Sequence, residues 1–397
     1  DVLDGTIDII NYVPEARSLP LEPEKINRLL GTDISREMMV EYLNRLEIGV
    51  EGDTILVPSF RPDLNLMADI AEEVGRSYGY NEIPTTAFKN ATQGGYSPFM
   101  IAESKAGSLC RSLGYSEIIT YSFVSPAIFD NIRLPKDSAL RNAMRIQNPL
   151  GEDTSIMRTI ALPSMLDILS RNYAYHNKNV RLYELAKIYL PTEGLCLPAE
   201  PKMLTLGAYG DGVTFFSVKG QLEAILKGLR LPKASFTAVK DNPSFHPGRC
   251  AAISMNGEFL GYMGQVHPLV CKNYGLDTEV YCVEIDFSKA FSMMLPEPTF
   301  TPLPKYPAVT RDLSLLCDEA VTIAELQDVI TAAGGKLLRR VDLFDIYRGK
   351  GVAEGKKSVA FSLVLRADDR TLTDTDSDTV VAKVLDALKT KLNATLR

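Results

Sequence analysis

The alternation of apolar and polar positions divides the 397-residue chain into three stretches. From about residue 18 to 87 the spacing is mostly helical. PEKINRLLG (23–31), SREMMVEYLNRLEI (35–48) and MADIAEEVGRSYGY (67–80) each repeat apolar residues at three and four positions, with Gly31 placed as a C-cap and Ser35 as an N-cap. Between them DTILVPSF (53–60) reads as a strand, so a small helical domain with one short hairpin is expected. From 88 to 293 a helix, AESKAGSLCRSLGY, leads into strand-like runs: SEIITYSFV (116–124), NVRLYELAKIYLP (179–191), PKMLTLGAYG (201–210) and AAISMNGEFLGYMGQV (251–266). A further helix opens at SVKGQLEAILKGLRL (217–231), after Phe215-Phe216. Strands joined by long connections with few helices predict a largely antiparallel sheet carrying helices.

A proline-rich linker over 294–304 precedes the last stretch, 305–397. There the order is strand (311–318), helix (322–335), strand (337–349), strand (356–368), helix (376–393) and a short final strand at ATLR, which is the ferredoxin-like βαββαβ order. The fold class expected for the whole is α+β multidomain. The opening DVLDGTIDIINYVP reads as the tail of a preceding region, so 1–17 is set apart.

Alternation in the last stretch predicts which face its helices leave open. In the second strand Phe344 and Ile346 share one face, Asp345 and Tyr347 the other. In the third, Val359, Phe361, Leu363 and Leu365 are apolar while Ser358, Ala360 and Ser362 lie opposite. With both helices on the apolar face, the free face carries a tyrosine, a carboxylate and hydroxyls, and Tyr347 falls about opposite Ser358. Such a face is either an ordinary solvated sheet surface or a platform on which an unpaired base stacks while the carboxylate accepts from a purine edge.

Charge changes this picture little. The net charge is −7, and from 300 to 397 about 15 basic face 14 acidic side chains, too even a balance for a surface that tracks phosphate. The six cysteines (110, 196, 250, 271, 282, 317) form no CxxC pair, which argues for reduced thiols in a cytoplasmic setting and against zinc. Three histidines (176, 246, 267) leave little for a His-based centre, and no run is apolar enough to span a membrane.

The densest candidate chemistry is in RPDLNLMADIAEEVGRSYGY (61–80). Asp63 precedes the helix, and Asp69, Glu72 and Glu73 stand at i, i+3 and i+4 within its first turns. Two readings fit: carboxylates favoured by the helix macrodipole, or oxygen ligands for a hard cation. A metal-dependent hydrolase built on this cluster lacks a histidine to position a nucleophile.

The chain resembles the C-terminal half of the β subunits of bacterial phenylalanyl-tRNA synthetases, in order and over nearly its whole length. RPDLNLMADIAEEVGRSYGYNEIP resembles that family's small helical domain. SLGYSEIITYSFVSP, IQNPLGEDTSIMRTIALPSMLDILSRN, VRLYELAKIYLP and FHPGRCAAISMNGEFLGYMGQVHP resemble its catalytic-like class II domain. YPAVTRDLSLL, VDLFDIYRGKGVAEGKKSVAFSL and RTLTD resemble its ferredoxin-fold anticodon-binding domain. The resemblance implies a non-catalytic subunit of an (αβ)2 enzyme that uses ATP, bound by the α subunit, to attach phenylalanine to tRNA(Phe). Arg181-Leu-Tyr-Glu184 is similar to the ATP-clamping strand of class II synthetases, but no glycine-rich segment ending in arginine follows; GQVHPLV (264–270) stands there, and Arg181 and Glu184 are expected to be structural. The resemblance further implies Mg2+ at Asp63, Asp69, Glu72 and Glu73. It places anticodon contacts at Asp345, Tyr347, Ser358 and Arg397, three of them the open-face residues found from alternation. The alternative is a stand-alone RNA- or protein-binding module of the same folds.

Overall fold

The computed structural model describes residues 4–13, 15–87 and 92–397; parts of the expected N-terminal tail and the expected start of the middle domain, 88–91, lie outside the described residues. The chain forms two compact units, Asp1–Ile101 and Ala102–Arg397.

In the first unit β1 (Arg17–Pro20), α1 (Pro23–Leu30), α2 (Arg36–Arg45), β2 (Gly49–Glu51), β3 (Thr54–Val57) and α3 (Met67–Tyr78) enclose one core that includes Ile26, Met39, Leu43, Ile55 and Ile70. The expected caps form: Gly31 is left-handed at φ 71, and the Ser35 hydroxyl accepts from Met38 N–H. The sheet has one strand more than the expected hairpin, because β1 pairs antiparallel with β3 and gives the order β1-β3-β2.

The second unit contains most of α4 (Pro98–Ser112), then β4 (Ser116–Glu117), β5 (Phe123–Val124), α5 (Ile128–Asn131), β6 (Ile156–Met157) and α6 (Leu162–Ala174). It continues through β7 (Val180–Lys187), β8 (Lys202–Tyr209), α7 (Phe215–Gly228), β9 (Ala234–Ala238), β10 (Phe245–Met255), β11 (Glu258–Val266), α8 (Pro268–Asn273), β12 (Tyr281–Asp286) and α9 (Phe287–Ser292). Seven strands form a sheet in the order β4-β7-β8-β12-β11-β10-β9, parallel only at β4-β7. The hairpin β10-β11 turns on Asn256-Gly257, both at positive φ (50 and 83), as a two-residue turn requires. Helix α6 crosses the sheet closely at Gly207, where an added Cβ would lie 2.7 Å from Met165.

Two expectations change here. SEIITYSFV is not one strand but the two short strands β4 and β5, since the Thr120 N–H leaves the ladder to donate to the Glu184 carboxylate at 2.8 Å. Helix α7 begins at Phe215 rather than after Phe216, because Thr214 caps it by accepting from Ser217 N–H.

The C-terminal part contains β13 (Val309–Asp318), α10 (Ile323–Gly334), β14 (Leu338–Tyr347), β15 (Lys356–Leu365), α11 (Asp374–Leu392) and β16 (Thr395–Leu396). The antiparallel order β14-β15-β13-β16 is that of a ferredoxin-like sheet. Its core joins Leu313, Leu315, Phe361 and Leu363 to Ile330 of α10 and Val384 of α11, all on one face. The register of β14 on β15 shifts twice, between Leu338 and Arg340 and between Leu343 and Asp345; at the second, Leu343 pairs with Phe361 and Asp345 with Ala360, so Phe344 is the extra residue of a β-bulge and is exposed rather than core-facing.

Helix α11 starts in a capping box. Asp376 accepts from the Thr373 N–H at 2.9 Å and is paired with Arg370, whose guanidinium first and Thr373 second hold its carboxyl well below the ordinary 3.8. A folded carboxyl with a depressed pKa contributes stability above its unfolded pKa and loses it as pH falls through the folded one. Asp376→Asn should therefore lower the unfolding midpoint of the C-terminal part at neutral pH. The difference from the unsubstituted chain should close as pH drops below about 4, read by thermal unfolding across pH.

Candidate nucleic-acid interface and acidic cluster

On the sheet face away from α10 and α11, the register sets Tyr347 opposite Ser358 and Asp345 opposite Ala360. The final strand brings in the last residue: Arg397 N–H donates to the Ser314 carbonyl at 2.8 Å, which fixes the C-terminus beside β13. From there the Arg397 guanidinium donates to the Ser358 Oγ at 3.4 Å and lies 5.4 Å from the centre of the Tyr347 ring. The Tyr347 hydroxyl donates to the Lys350 carbonyl at 3.2 Å, which holds the ring by its far end. Tyr347 is 38 % exposed, whereas Ser358 is buried at 4 %. Ser358 thus lies at the floor of the patch, not on its surface. Asp345 is exposed on the same face, two residues along β14 from Tyr347.

Four residues singled out from the sequence therefore share one face, and three of them touch. Ser314, whose Oγ lies 3.4 Å from that of Ser358, belongs to the same patch. Its alternation with the core-facing Leu313 and Leu315 would have revealed it. An aromatic ring held at both ends, a guanidinium, two hydroxyls and an exposed acceptor suit one unstacked base better than a run of phosphates. Much of the positive charge nearby is already neutralised: Arg348 pairs with Glu319, Arg339 with Asp368, Arg340 with Asp342 and Lys356 with Asp318.

The carboxylates of 63–73 separate instead of converging. Adjacent helical residues point about 100° apart, so Glu73 turns into the core at 6 % exposure while Glu72 faces solvent. Glu73 pairs with Arg61 at 2.6 Å and with Arg76. Its burial raises the carboxyl pKa, but the two guanidinium groups outweigh this and leave it below its ordinary value. Arg61 also holds Asp63 at 2.6 Å. Asp69 accepts from the backbone N–H groups of Asn65 and Leu66, each at 2.7 Å, and so caps α3. Among the described residues no group of three or more His, Cys, Asp or Glu side chains is arranged to hold a metal ion. The expected Mg2+ ligands therefore do not fit an ion as they stand: two are bridged by a cation and one is committed to backbone donors. Arg61 is the residue that the sequence reading overlooked, although its place two before Asp63 was a visible signal.

In the middle of the chain Arg181 and Glu184, three residues apart, lie on opposite faces of β7. Glu184, on the side of Leu182 and α6, is buried with Arg158, 3.5 Å away, and accepts from both the N–H and the hydroxyl of Thr120. Arg158 fills the inner wall of a cleft of about 350 Å³ bordered by Thr120, Ser122, Lys187 and Lys202. A second carboxylate, the half-buried Glu284, accepts from Ala161 and Leu162 N–H at the start of α6; desolvation drives its pKa up despite these bonds. The histidines have local roles. His267 Nδ1 accepts from Leu269 N–H to cap α8, His246 Nδ1 accepts from Gly248 N–H, and His176 is exposed. Five of the six thiols are buried and Cys196 is exposed; all are free. No helix among the described residues is long and apolar enough to cross a membrane.

Comparison with known proteins gives three family matches. Residues 83–287 match the phenylalanyl tRNA synthetase beta chain CLM domain, 19–80 the tRNA synthetase B5 domain and 304–397 the ferredoxin-fold anticodon binding domain. Among curated relatives, the phenylalanine–tRNA ligase beta subunit of Clostridium tetani is 44 % identical over 403 residues, covering 100 % of this chain and 51 % of that protein. The beta subunit of Clostridium acetobutylicum is 42 % identical over 403 residues and that of Moorella thermoacetica 38 % over 410, each again covering 100 % of this chain and 51 % of the relative. The chain thus spans about half the length of the curated relatives it matches.

Proposed function

The chain belongs to the phenylalanyl-tRNA synthetase beta chain family, and from that membership we propose that it serves as the non-catalytic β partner of an α subunit in attaching phenylalanine to tRNA(Phe). In this reading ATP and phenylalanine are bound by α, and the two subunits assemble as (αβ)2. The observation that carries the RNA part is the Tyr347–Ser358–Arg397 patch with Asp345 beside it. Tyr347 stacks on an anticodon base, Asp345 accepts from its N–H donors, and Ser358 and Arg397 fix its position.

Two features support a non-catalytic middle domain that depends on a partner. No glycine-rich segment ending in arginine follows Arg181-Leu-Tyr-Glu184, and Arg158, which lines the cleft, is committed to Glu184 and Thr120. The loop between β4 and β5 and the first residue of β5 also present apolar side chains to solvent, with Ile119 at 92 %, Tyr121 at 83 % and Phe123 at 47 % exposure. Apolar side chains exposed together in this way are what an obligate partner covers. The Mg2+ implied by the resemblance has no part in this reading, because three of its four expected ligands, Asp63, Asp69 and Glu73, are held by Arg61, Arg76 or backbone N–H groups.

The test is co-purification with a bacterial phenylalanyl-tRNA synthetase α subunit, followed by charging of tRNA(Phe). A stable complex that charges, when neither chain alone does, is the expected result. Tyr121→Asp should then weaken assembly by roughly 30-fold or more, the loss of one central anchor, measured by titrating α into the variant. A chain that stays apart from α and inert beside it would overturn the reading and favour a stand-alone module.

A further inference from the structure

The arrangement around Glu73 points beyond the anticodon patch and the α partner. We propose that Arg61 is the resident counter-charge of the acidic cluster, so that the small domain folds without any divalent cation. Arg61 lies in the segment between β3 and α3. Its Nε and Nη2 grip Asp63 at 3.0 and 2.6 Å, and the same Nη2 reaches Glu73 on the second turn of α3 at 2.6 Å. One guanidinium therefore ties the approach to the helix onto the helix itself, which is the mechanical task a bound ion would perform.

Three further observations fit this role. Glu73 is buried, and a buried carboxylate needs a paired cation; it has two, Arg61 and Arg76, and both of its oxygens are used. Asp69 directs its Oδ2 to two backbone N–H groups, and those donors would be orphaned if the oxygen turned to a metal. Arg61 is itself held from behind: its carbonyl accepts from Arg17 Nη2 at 3.2 Å, and Arg17 also donates to the Asn65 side chain. The cation is thus built into the segment and fixed at both ends. A magnesium ion demands several oxygen ligands at once, and here Asp63 and Glu73 accept from guanidinium groups and Asp69 Oδ2 from two backbone N–H groups, while Glu72 faces solvent.

The experiment uses the 397-residue chain, with Mg2+ as the probe at constant ionic strength. Amide exchange over Met67–Tyr78 is followed by mass spectrometry, in chelator and in millimolar Mg2+, alongside calorimetric titration of Mg2+. Unsubstituted chain should show the same protection in both conditions and no saturable heat. Arg61→Gln should speed exchange across α3 by roughly tenfold or more, and Arg61→Lys, which keeps the charge but not the forked contact, should fall between. If Arg61→Gln does not fold, the lysine variant and the unsubstituted titration still decide. The idea is overturned if the unsubstituted chain binds one Mg2+ saturably and gains protection in α3 that Glu73→Gln removes. It is equally overturned if Arg61→Gln or Arg61→Lys exchanges as slowly as the unsubstituted chain.

Discussion

Arg158→Met is expected to destabilise the middle of the chain by about 3–5 kcal/mol, the largest stability loss foreseen for any single substitution here. Arg158 is 2 % exposed and donates to the Lys187 carbonyl, to Thr120 and to Glu184. Removing it leaves the Glu184 carboxylate buried without its cation, close to the half-buried Glu284 carboxylate, whose pKa the Arg158 charge helps to hold down. The cost is that of the stranded charge, not of the lost pair. Two consequences distinguish this from mere loss of packing. The double variant Arg158→Met with Glu184→Leu should recover much of the loss, because no charge is then stranded. The single variant should also be rescued in part by mild acid. Without Arg158 the carboxyl of Glu284, already raised by burial, loses a charge that lowers it and rises further, and a group with a raised folded pKa loses stability as pH increases through that value. Urea unfolding at several pH values, followed by tyrosine fluorescence, measures both. A loss under about 1 kcal/mol, independent of pH, would show that the network is not what holds this region together.

Tyr347→Ala should have the largest functional effect. Stacking of one base on an aromatic ring contributes about 1–3 kcal/mol, so kcat/KM for tRNA in the complex with α should fall by roughly 5- to 150-fold. Phenylalanine-dependent ATP–pyrophosphate exchange, which needs no tRNA, should be unchanged. Tyr347→Phe keeps the ring and loses only the hydroxyl bond to Lys350, so it should retain most of the activity. Because Arg397 covers part of the ring in the free chain, its removal should weaken tRNA binding less than removal of Tyr347 itself. If the alanine variant charges as well as the unsubstituted complex, the open face is only a solvated sheet surface.

Legibility from sequence differed by element. The C-terminal part was nearly complete: its six elements follow from period and turn residues, and alternation placed Tyr347 and Ser358 opposite one another. The bulge at Phe344 escaped because an inserted residue leaves no mark in a strand of otherwise apolar and polar alternation. In the middle, SEIITYSFV has every strand preference, yet Thr120 is diverted by a carboxylate 64 residues away. Local propensity carries no information about a bond of that span.

The acidic cluster shows the same division most sharply. Sequence spacing determined that Asp69, Glu72 and Glu73 would open one helix, and that Asp63 would precede it. It determined likewise the apolar faces of helices and strands in the C-terminal part and the polar groups on its open face. Only the tertiary structure decided which carboxylate was buried, which capped backbone donors and which met Arg61, Arg76 or solvent. It alone placed Arg158 against Glu184 and brought Arg397 onto Tyr347. The reason is physical: periodicity reports the direction of a side chain relative to its own element. The partner it meets depends on where a second element packs, and the burial that results sets whether a charge must be paired.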